Sequence, residues 1–207
     1  MKLKQFEKSR ITQEKILDAA VDEFAEKGFY GARVDAIAEN AGVNKRMIYA
    51  HFESKEKLYT EVLLIAYNWV SECEKEFMLD DITPVDSIRL MVHRSFEFLL
   101  YNPKFIRLLM WENLNRAMSI PKEELIKLKA PTFEYMKKQV IRGKESGEFR
   151  ADIDEYQIVL SLMNFGFAHF SNAHTMSALL EKDLSSRDDV LKRADFVSDM
   201  IIKHLKA

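Results

Sequence analysis

The residues best suited to contact another molecule lie between positions 34 and 52, in the stretch VDAIAENAGVNKRMIYAHF. Its second part carries basic and polar side chains on a predicted helix: Lys45, Arg46, Tyr49 and His51. Such groups can bond to phosphates, and a guanidinium can also bond to the edge of guanine. Ile48 and Phe52 share another face by their i, i+4 spacing. The pattern indicates a helix with one packed face and one face free to touch DNA.

The elements that position these side chains follow from the same stretch. Val34, Ile37, Ala38 and Ala41 have the spacing that places apolar groups on one helical face, which predicts a helix over 34–41. A glycine at 42 ends that helix without steric cost, and an asparagine at 44 can cap the next one. A helix-turn-helix is therefore predicted.

Composition limits the alternatives. The chain has 207 residues, 47% of them hydrophobic, and a net charge of -2, which is ordinary for a folded soluble protein. No apolar run is long enough for a membrane span, and the start MKLKQFEKSR lacks the apolar core of a signal peptide. A single Cys73 and the lack of CxxC or HExxH pairs predict no metal or cofactor and fit reducing surroundings. A cytoplasmic protein without a membrane partner is expected.

Local charge is more informative than the total. Four basic residues precede the first predicted helix: Lys2, Lys4, Lys8 and Arg10. They form either a solvated, frayed end or an arm that binds phosphates.

Helical periodicity runs through the chain, and strand signals are nearly absent. The predicted helices are 12–27, 34–41, 44–52, 54–78, 84–101, 103–117, 121–129, 131–146, 154–181 and 187–205. All four prolines are placed where a helix begins, so none is expected inside a helix. Asp154 with Gln157, and Ser186 with Asp189, have capping-box spacing.

With these elements placed, the N-terminal part resembles the TetR family of bacterial transcriptional regulators. The matching segments are ILDAAVDEFAEKGF at 16–29, VDAIAENAGV at 34–43 and NKRMIYAHFESKEKLY at 44–59. The resemblance implies an all-α fold, in which a three-helix DNA-binding domain is joined by a long helix to a helical ligand-binding and dimerisation domain. The corresponding domain boundaries are residues 1–54 and 55–207.

The resemblance also implies roles for individual residues. Tyr49, His51 and Lys55 stand where the family usually contacts phosphates, and the base readers precede them. The full set of DNA-binding candidates is Arg33, Asn44, Lys45, Arg46, Met47, Tyr49, His51 and Lys55. Arg33 and Arg46 depart from the family pattern, which commonly has Ser or Thr at the first position and a small residue at the second. Arg46 gains interest because guanidinium can pair bidentately with guanine.

Candidates for a ligand-binding role lie further along the chain. In WENLNRA, Glu112 and Asn113 adjoin an apolar run, where they either orient a ligand or mark a helix end. Phe165, His169 and Asn172 recur at helical spacing and belong to a pocket, the core or a dimer seam. The complete set adds three large side chains and reads Trp69, Phe96, Met110, Glu112, Asn113, Phe165, His169 and Asn172.

These observations predict a homodimeric, ligand-responsive transcriptional regulator, most simply a repressor that a small, partly apolar effector releases from double-stranded operator DNA. The alternative is a small-molecule carrier whose DNA-binding motif is vestigial. An enzyme is not expected, because the chain lacks a nucleophile with a base, a P-loop or a metal set. The effector, the operator, the regulated genes and the sign of control do not follow from the sequence.

Overall fold

The computed structural model describes the backbone of residues 2–206 and the side chains of residues 7–206. Within that part of the chain the protein is all helical, without strands, as predicted. Its ten helices are α1 Lys2–Gly31, α2 Val34–Ala41, α3 Lys45–Phe52, α4 Lys55–Lys75, α5 Pro84–Tyr101, α6 Pro103–Leu114, α7 Lys122–Glu145, α8 Glu155–Ser171, α9 Ala173–Leu180 and α10 Arg187–Leu205.

The chain forms two compact units. One comprises the chain up to Tyr67 together with Arg107–Leu125, and the other comprises Asn68–Ile106 together with the chain from Ile126 onward. In the first unit α1 packs against α2 and α3. In the second unit α5 packs against α8 and α10 around a core that includes Ile88, Phe96 and Val197.

The first helix is longer than the predicted 12–27, but its backbone departs from helical geometry at Gly28, where the sequence predicts a stop. Gly28 has φ 66° and ψ 179°, a conformation that is essentially restricted to glycine. The Trp111 ring also lies close to it, since a Cβ at this position would be 2.6 Å from the ring. Backbone geometry and close packing thus both require glycine.

The predicted break at Pro131 is wrong, because α7 continues through this residue as one helix. Proline cannot donate a backbone hydrogen bond, so the helix is weakened on one side there. Side chains of α4 bind this turn from outside: Ser71 Oγ donates to the Leu128 carbonyl at 3.2 Å, and Glu74 accepts from Thr132 Oγ at 2.6 Å. These long-range bonds support the helix where the sequence predicts an end.

Two further predicted helices end early. The helix predicted over 154–181 is divided at Asn172, whose backbone has φ −109° and ψ 3° and whose amide donates to the Ala168 carbonyl at 2.9 Å. The helix predicted over 103–117 ends at Leu114, because Arg116 and Ala117 have left-handed φ values of 61° and 54°. In both places polar or backbone groups close the last turn.

Candidate nucleic-acid interface

The predicted helix-turn-helix is present with its predicted turn and cap. Gly42 has φ 65° and ψ 35°, the left-handed conformation that ends α2, and its N–H donates to the Glu39 carbonyl. Asn44 then begins α3, since its Oδ1 accepts a hydrogen bond from the Arg46 N–H at 2.9 Å. Local sequence signals therefore determine where α2 ends and where α3 begins.

The third helix has one buried and one exposed face. Ile48 and Phe52 are buried, being 1% and 4% exposed. Lys45, Arg46 and Tyr49 are exposed, and their i, i+3 and i, i+4 spacings place them on a common face. Met47 is exposed as well. Lys45, Arg46, Met47 and Tyr49 are thus presented to solvent by a helix whose opposite face is packed against the protein.

The two cations at the start of α3 differ in their surroundings. Lys45 Nζ lies 2.9 and 3.0 Å from the two carboxylate oxygens of Asp35 on α2, and this hydrogen bond raises the pKa of Lys45. Arg46 has no ion pair within the described part of the chain. A guanidinium that is exposed, unpaired and attached to a capped helix is free to bond to a base edge.

Arg33 precedes α2 but does not cap it with its side chain. Instead, Glu23 of α1 accepts a hydrogen bond from the Arg33 backbone N–H at 3.0 Å, and it also pairs with Lys27 at 2.9 Å. Burial alone would raise the pKa of Glu23, but Lys27 and the Arg33 N–H outweigh burial and lower it. A carboxylate ten positions earlier thus binds the backbone N–H of the residue that precedes α2, a contact that short-range sequence patterns do not reveal.

Lys55, a predicted phosphate contact, is partly engaged within the protein. Its Nζ donates to the Ala32 carbonyl at 2.6 Å and lies 4.8 Å from the centroid of the Phe29 ring. The side chain therefore ties the first residue of α4 to the connection between α1 and α2. His51 is half-buried, with its ring 6.1 Å from that of Phe52.

The N-terminal basic residues fall only partly within the region whose side chains are described. Lys2 and Lys4 lie outside the residues whose side chains are described. Lys8 is exposed, whereas Arg10 pairs with Glu14 at 2.9 Å. The phosphate-binding arm stays a prediction.

The ligand-binding candidates of the second unit do not form one site. Phe96 is 1% exposed, and its ring lies 5.8 Å from that of His169. His169 Nε2 is 3.0 Å from the Leu184 carbonyl oxygen, and burial lowers the pKa of His169. Phe165 packs partly buried against the same core, while Asn172 is exposed at the helix break. Phe96 is therefore a core residue, and Phe165 and His169 lie partly buried beside it.

Trp69 lies in a different place, a surface groove of about 750 Å³ that α4 and the end of α5 form. Its other aromatic walls are Phe98 and Tyr101. In the first unit Met110 and Asn113 are exposed, and the Asn113 amide donates to the Leu109 carbonyl at 2.8 Å. Glu112, the third candidate on α6, differs from these two because it is buried, being 1% exposed.

Two tyrosines lie near Glu112 and are not among the residues predicted from the sequence. Burial and the negative charge of Glu112 raise the pKa of both Tyr59 and Tyr67, the latter to about 12. The two tyrosines are eight positions apart on α4, a spacing that places them on one side of the helix. The spacing of the two tyrosines could be seen in the sequence, but only the folded structure shows that Glu112 of α6 lies beside them.

Comparison with known proteins identifies the class. Residues 16–62 match a family model described as bacterial regulatory proteins, tetR family, and residues 84–201 match the model of the tetracyclin repressor-like C-terminal domain. The HTH-type transcriptional repressor NicS of Pseudomonas putida is 31% identical over 196 residues, covering 94% of this chain and 92% of NicS. The chain belongs to the TetR family. RutR of Escherichia coli, an HTH-type transcriptional regulator, is 34% identical over 148 residues, covering 71% of this TetR-family chain and 68% of RutR.

Solved structures agree on the fold. A tetR-family regulatory protein from Rhodococcus has a TM-score of 0.75 at 18% identity, with 95% of this chain and 97% of that one covered. FadR of Bacillus subtilis, crystallised with stearoyl-CoA, has a TM-score of 0.68 at 18% identity and covers 93% of this chain and 98% of its own. These structures confirm the all-α architecture, while the family models and NicS confirm the function as a helix-turn-helix transcriptional regulator. Among the described residues no group of side chains could hold a metal ion, and no helix could cross a membrane.

Proposed function

We propose that this TetR-family protein is a cytoplasmic, homodimeric repressor that reads operator DNA with α3 and leaves it when a small molecule binds. The observation that carries the proposal is the exposed face of α3, where Arg46 stands unpaired among the described residues beside Tyr49. NicS, which matches almost the whole chain, is named a repressor, which supports the sign of control. FadR holds stearoyl-CoA, which supports a small-molecule effector as a class.

On this proposal the interface divides into readers and anchors. Base edges are read by Asn44, Lys45, Arg46 and Met47. Phosphates are bound by Arg33, Tyr49, His51 and Lys55. Phosphate contacts supply affinity that falls with salt through counterion release, whereas base contacts supply sequence preference. Lys55 contributes less than the sequence suggests, since one of its N–H groups already binds the Ala32 carbonyl.

The proposed dimer uses the last helices. Exposed apolar side chains on α8 and α10 include Leu160 and Phe196, which are 52% and 59% exposed. Because α8 and α10 pack against each other, a second copy can cover both with a four-helix seam. Two copies of α3 would then enter major grooves about 34 Å apart, one turn of DNA. Sedimentation at low micromolar concentration should give a dimer; a monomer at that concentration would remove this part of the proposal.

The effector and dimerisation functions are assigned to residues 55–207, and DNA binding to residues 1–54. A carrier protein with a vestigial motif is the competing assignment. It predicts ligand affinity without retention of DNA that depends on sequence and salt.

The test is a fluorescence anisotropy titration with labelled DNA from the interval upstream of the protein's own gene, at several salt concentrations and with unrelated DNA as competitor. A repressor should bind tightly, resist the competitor and lose affinity steeply with salt. The carrier assignment would be supported if the protein bound the upstream DNA and the unrelated DNA equally weakly, and if selection from random sequences also gave no preferred operator.

A further inference from the structure

Glu112 on α6 is a buried carboxylate that has no counter-charge among the described residues. It is 1% exposed, and its Oε1 accepts a hydrogen bond from the Ser119 backbone N–H at 2.7 Å. Its Oε2 has no hydrogen-bond partner in the described part of the chain, and no Lys, Arg or His there forms an ion pair with it. One half of the carboxylate is therefore bound to the protein, while the other half is unsatisfied.

A second unsatisfied polar atom lies beside it. Tyr59 is fully buried, and its Oη likewise lacks a hydrogen-bond partner among the described residues. Burial, the charge of Glu112 and direct contact with its carboxylate all raise the pKa of Tyr59, so the two side chains adjoin, although their geometry falls short of a regular hydrogen bond. Tyr59 and Tyr67 therefore remain protonated and can donate, but neither supplies a positive charge.

The other unit shows how this chain ordinarily treats a buried acid. Glu74 is 7% exposed and pairs with the ammonium group of Lys129, and it also accepts from Thr132 Oγ at 2.6 Å. Burial of a charge is costly unless an opposite charge and hydrogen bonds compensate it. Glu74 has both kinds of compensation, whereas Glu112 lacks the opposite charge. A buried polar group without a partner requires an explanation, and a bound ligand that supplies the partner is one such explanation.

The surroundings of Glu112 and Tyr59 are aromatic. The Tyr59 ring lies 4.8 Å from that of Phe24 and 5.3 Å from that of Phe29. The preceding residue on α6, Trp111, packs against Gly28. Carboxylate and π faces together favour an organic cation, because the carboxylate neutralises its charge and the rings attract it through their quadrupoles.

We propose that Glu112 anchors the cationic nitrogen of the effector, which is a small apolar or aromatic amine or amidine. This inference rests on the proposed function, since it specifies the chemistry of the effector that the repressor senses. Glu112 Oε2 accepts from the protonated nitrogen, Tyr59 contributes its hydroxyl, and the neighbouring rings enclose the apolar part. An anionic effector would be repelled at this position.

The position of the site explains how occupancy reaches the DNA-binding helices. Tyr59 packs on Phe24 of α1, and the Trp111 indole N–H donates to the Ala25 carbonyl of the same helix at 3.3 Å. Because α1 packs against α2 and α3, a ligand that displaces Tyr59 or Trp111 acts on α1 and, through it, on the DNA-binding helix α3.

The test measures melting temperature with a matched set of probes that share a phenylalkyl frame: 2-phenylethylamine, 4-phenylbutylamine, 2-phenylethanol and 3-phenylpropionate. The proteins are wild type, Glu112→Gln and the charge-matched control Glu123→Gln, whose side chain is exposed. The amines should stabilise wild type and the control and bind Glu112→Gln at least about tenfold more weakly, as expected when a buried charge pair loses one partner. Equal shifts in all three proteins, shifts by the alcohol or the acid instead, or no amine shift at all would overturn the proposal.

Glu112→Gln keeps an acceptor for the Ser119 N–H and removes the uncompensated charge, so it should fold with a melting temperature at least equal to that of wild type. Tyr59→Phe provides a second, independent variant. It should weaken the amines less than Glu112→Gln does and leave 2-phenylethanol unaffected; undiminished amine binding in it would contradict the hydroxyl's part in the site.

Failure of this inference differs from failure of the proposed function. If neutral or acidic molecules alone release the operator, regulation by a ligand stands and the cationic anchor is wrong. If amines bind through Glu112 but no operator is bound, the anchor stands and the repressor is wrong.

Discussion

Replacement of Gly28 by alanine should destabilise the protein far more than replacement of the other left-handed glycine in this region. Gly28 combines φ 66° with ψ 179°, and an added Cβ would lie 2.6–2.9 Å from three atoms of the Trp111 ring. Gly42 also has a positive φ, 65°, but nothing lies within 4 Å of an added Cβ. A comparison of Gly28→Ala with Gly42→Ala therefore separates the cost of backbone strain from the cost of overpacking against Trp111.

The magnitude follows from these two terms. A side chain in the sparsely populated backbone region of Gly28 costs about 1–3 kcal/mol, and forcing a methyl group against a packed ring costs about 1–3 kcal/mol more. Gly28→Ala should thus lower the free energy of unfolding by roughly 2–6 kcal/mol. Gly42→Ala carries only the left-handed penalty of about 1–2 kcal/mol.

The assay is urea unfolding followed by far-UV circular dichroism, with Gly31→Ala as a further control. An added Cβ at Gly31 would meet only the Lys27 Cβ, at 3.3 Å. Gly28→Ala should show the lowest midpoint and Gly31→Ala the highest of the three. A Gly28→Ala protein as stable as Gly42→Ala would refute the close packing of Trp111 on α1.

Three further outcomes are expected. Asp35→Asn removes the ion pair that competes with DNA for the Lys45 ammonium group and should therefore tighten operator binding, whereas Glu39→Gln, a charge-matched change on the same helix, should leave the dissociation constant unchanged; equal dissociation constants in the two variants would contradict the restraint on Lys45. Glu74→Ala leaves a buried ammonium unpaired and should cost roughly 3–5 kcal/mol in urea unfolding, and a loss below 1 kcal/mol would contradict the buried pair. Burial lowers the pKa of His169 below its unfolded value near 6.5, so neutral His169 contributes fully to the free energy of unfolding above that pH and loses this contribution as the pH falls. The fall in melting temperature between pH 7.5 and pH 5.5 should therefore be smaller in His169→Gln than in wild type.

The parts of the molecule that the sequence predicts well depend on neighbours within one or two turns. Gly42 and Asn44 act on the helix ends beside them, so the helix-turn-helix and its exposed face follow from local pattern. The same holds for Ser186, whose Oγ accepts from the Asp189 N–H at 3.3 Å.

The parts that it misses depend on distant contacts. Pro131 remains inside α7 because α4 supplies hydrogen bonds to that turn. Glu23 binds the Arg33 N–H across ten positions, and Lys55 binds a carbonyl 23 positions away. The missing counter-charge of Glu112 is likewise visible only after folding, since no pattern in the chain records which acids lack a partner.

The central claim is that Arg46 on α3 reads a base. The most direct measurement is the ratio of dissociation constants for operator and unrelated DNA, at one salt concentration, for wild type, Arg46→Ala and Tyr49→Phe. Loss of one bidentate guanine contact costs about 1–3 kcal/mol of discrimination, so Arg46→Ala should lower the ratio by about 5- to 160-fold per half-site. Tyr49→Phe should weaken both DNAs alike and leave the ratio unchanged. Equal loss of affinity for both DNAs in Arg46→Ala would contradict the account.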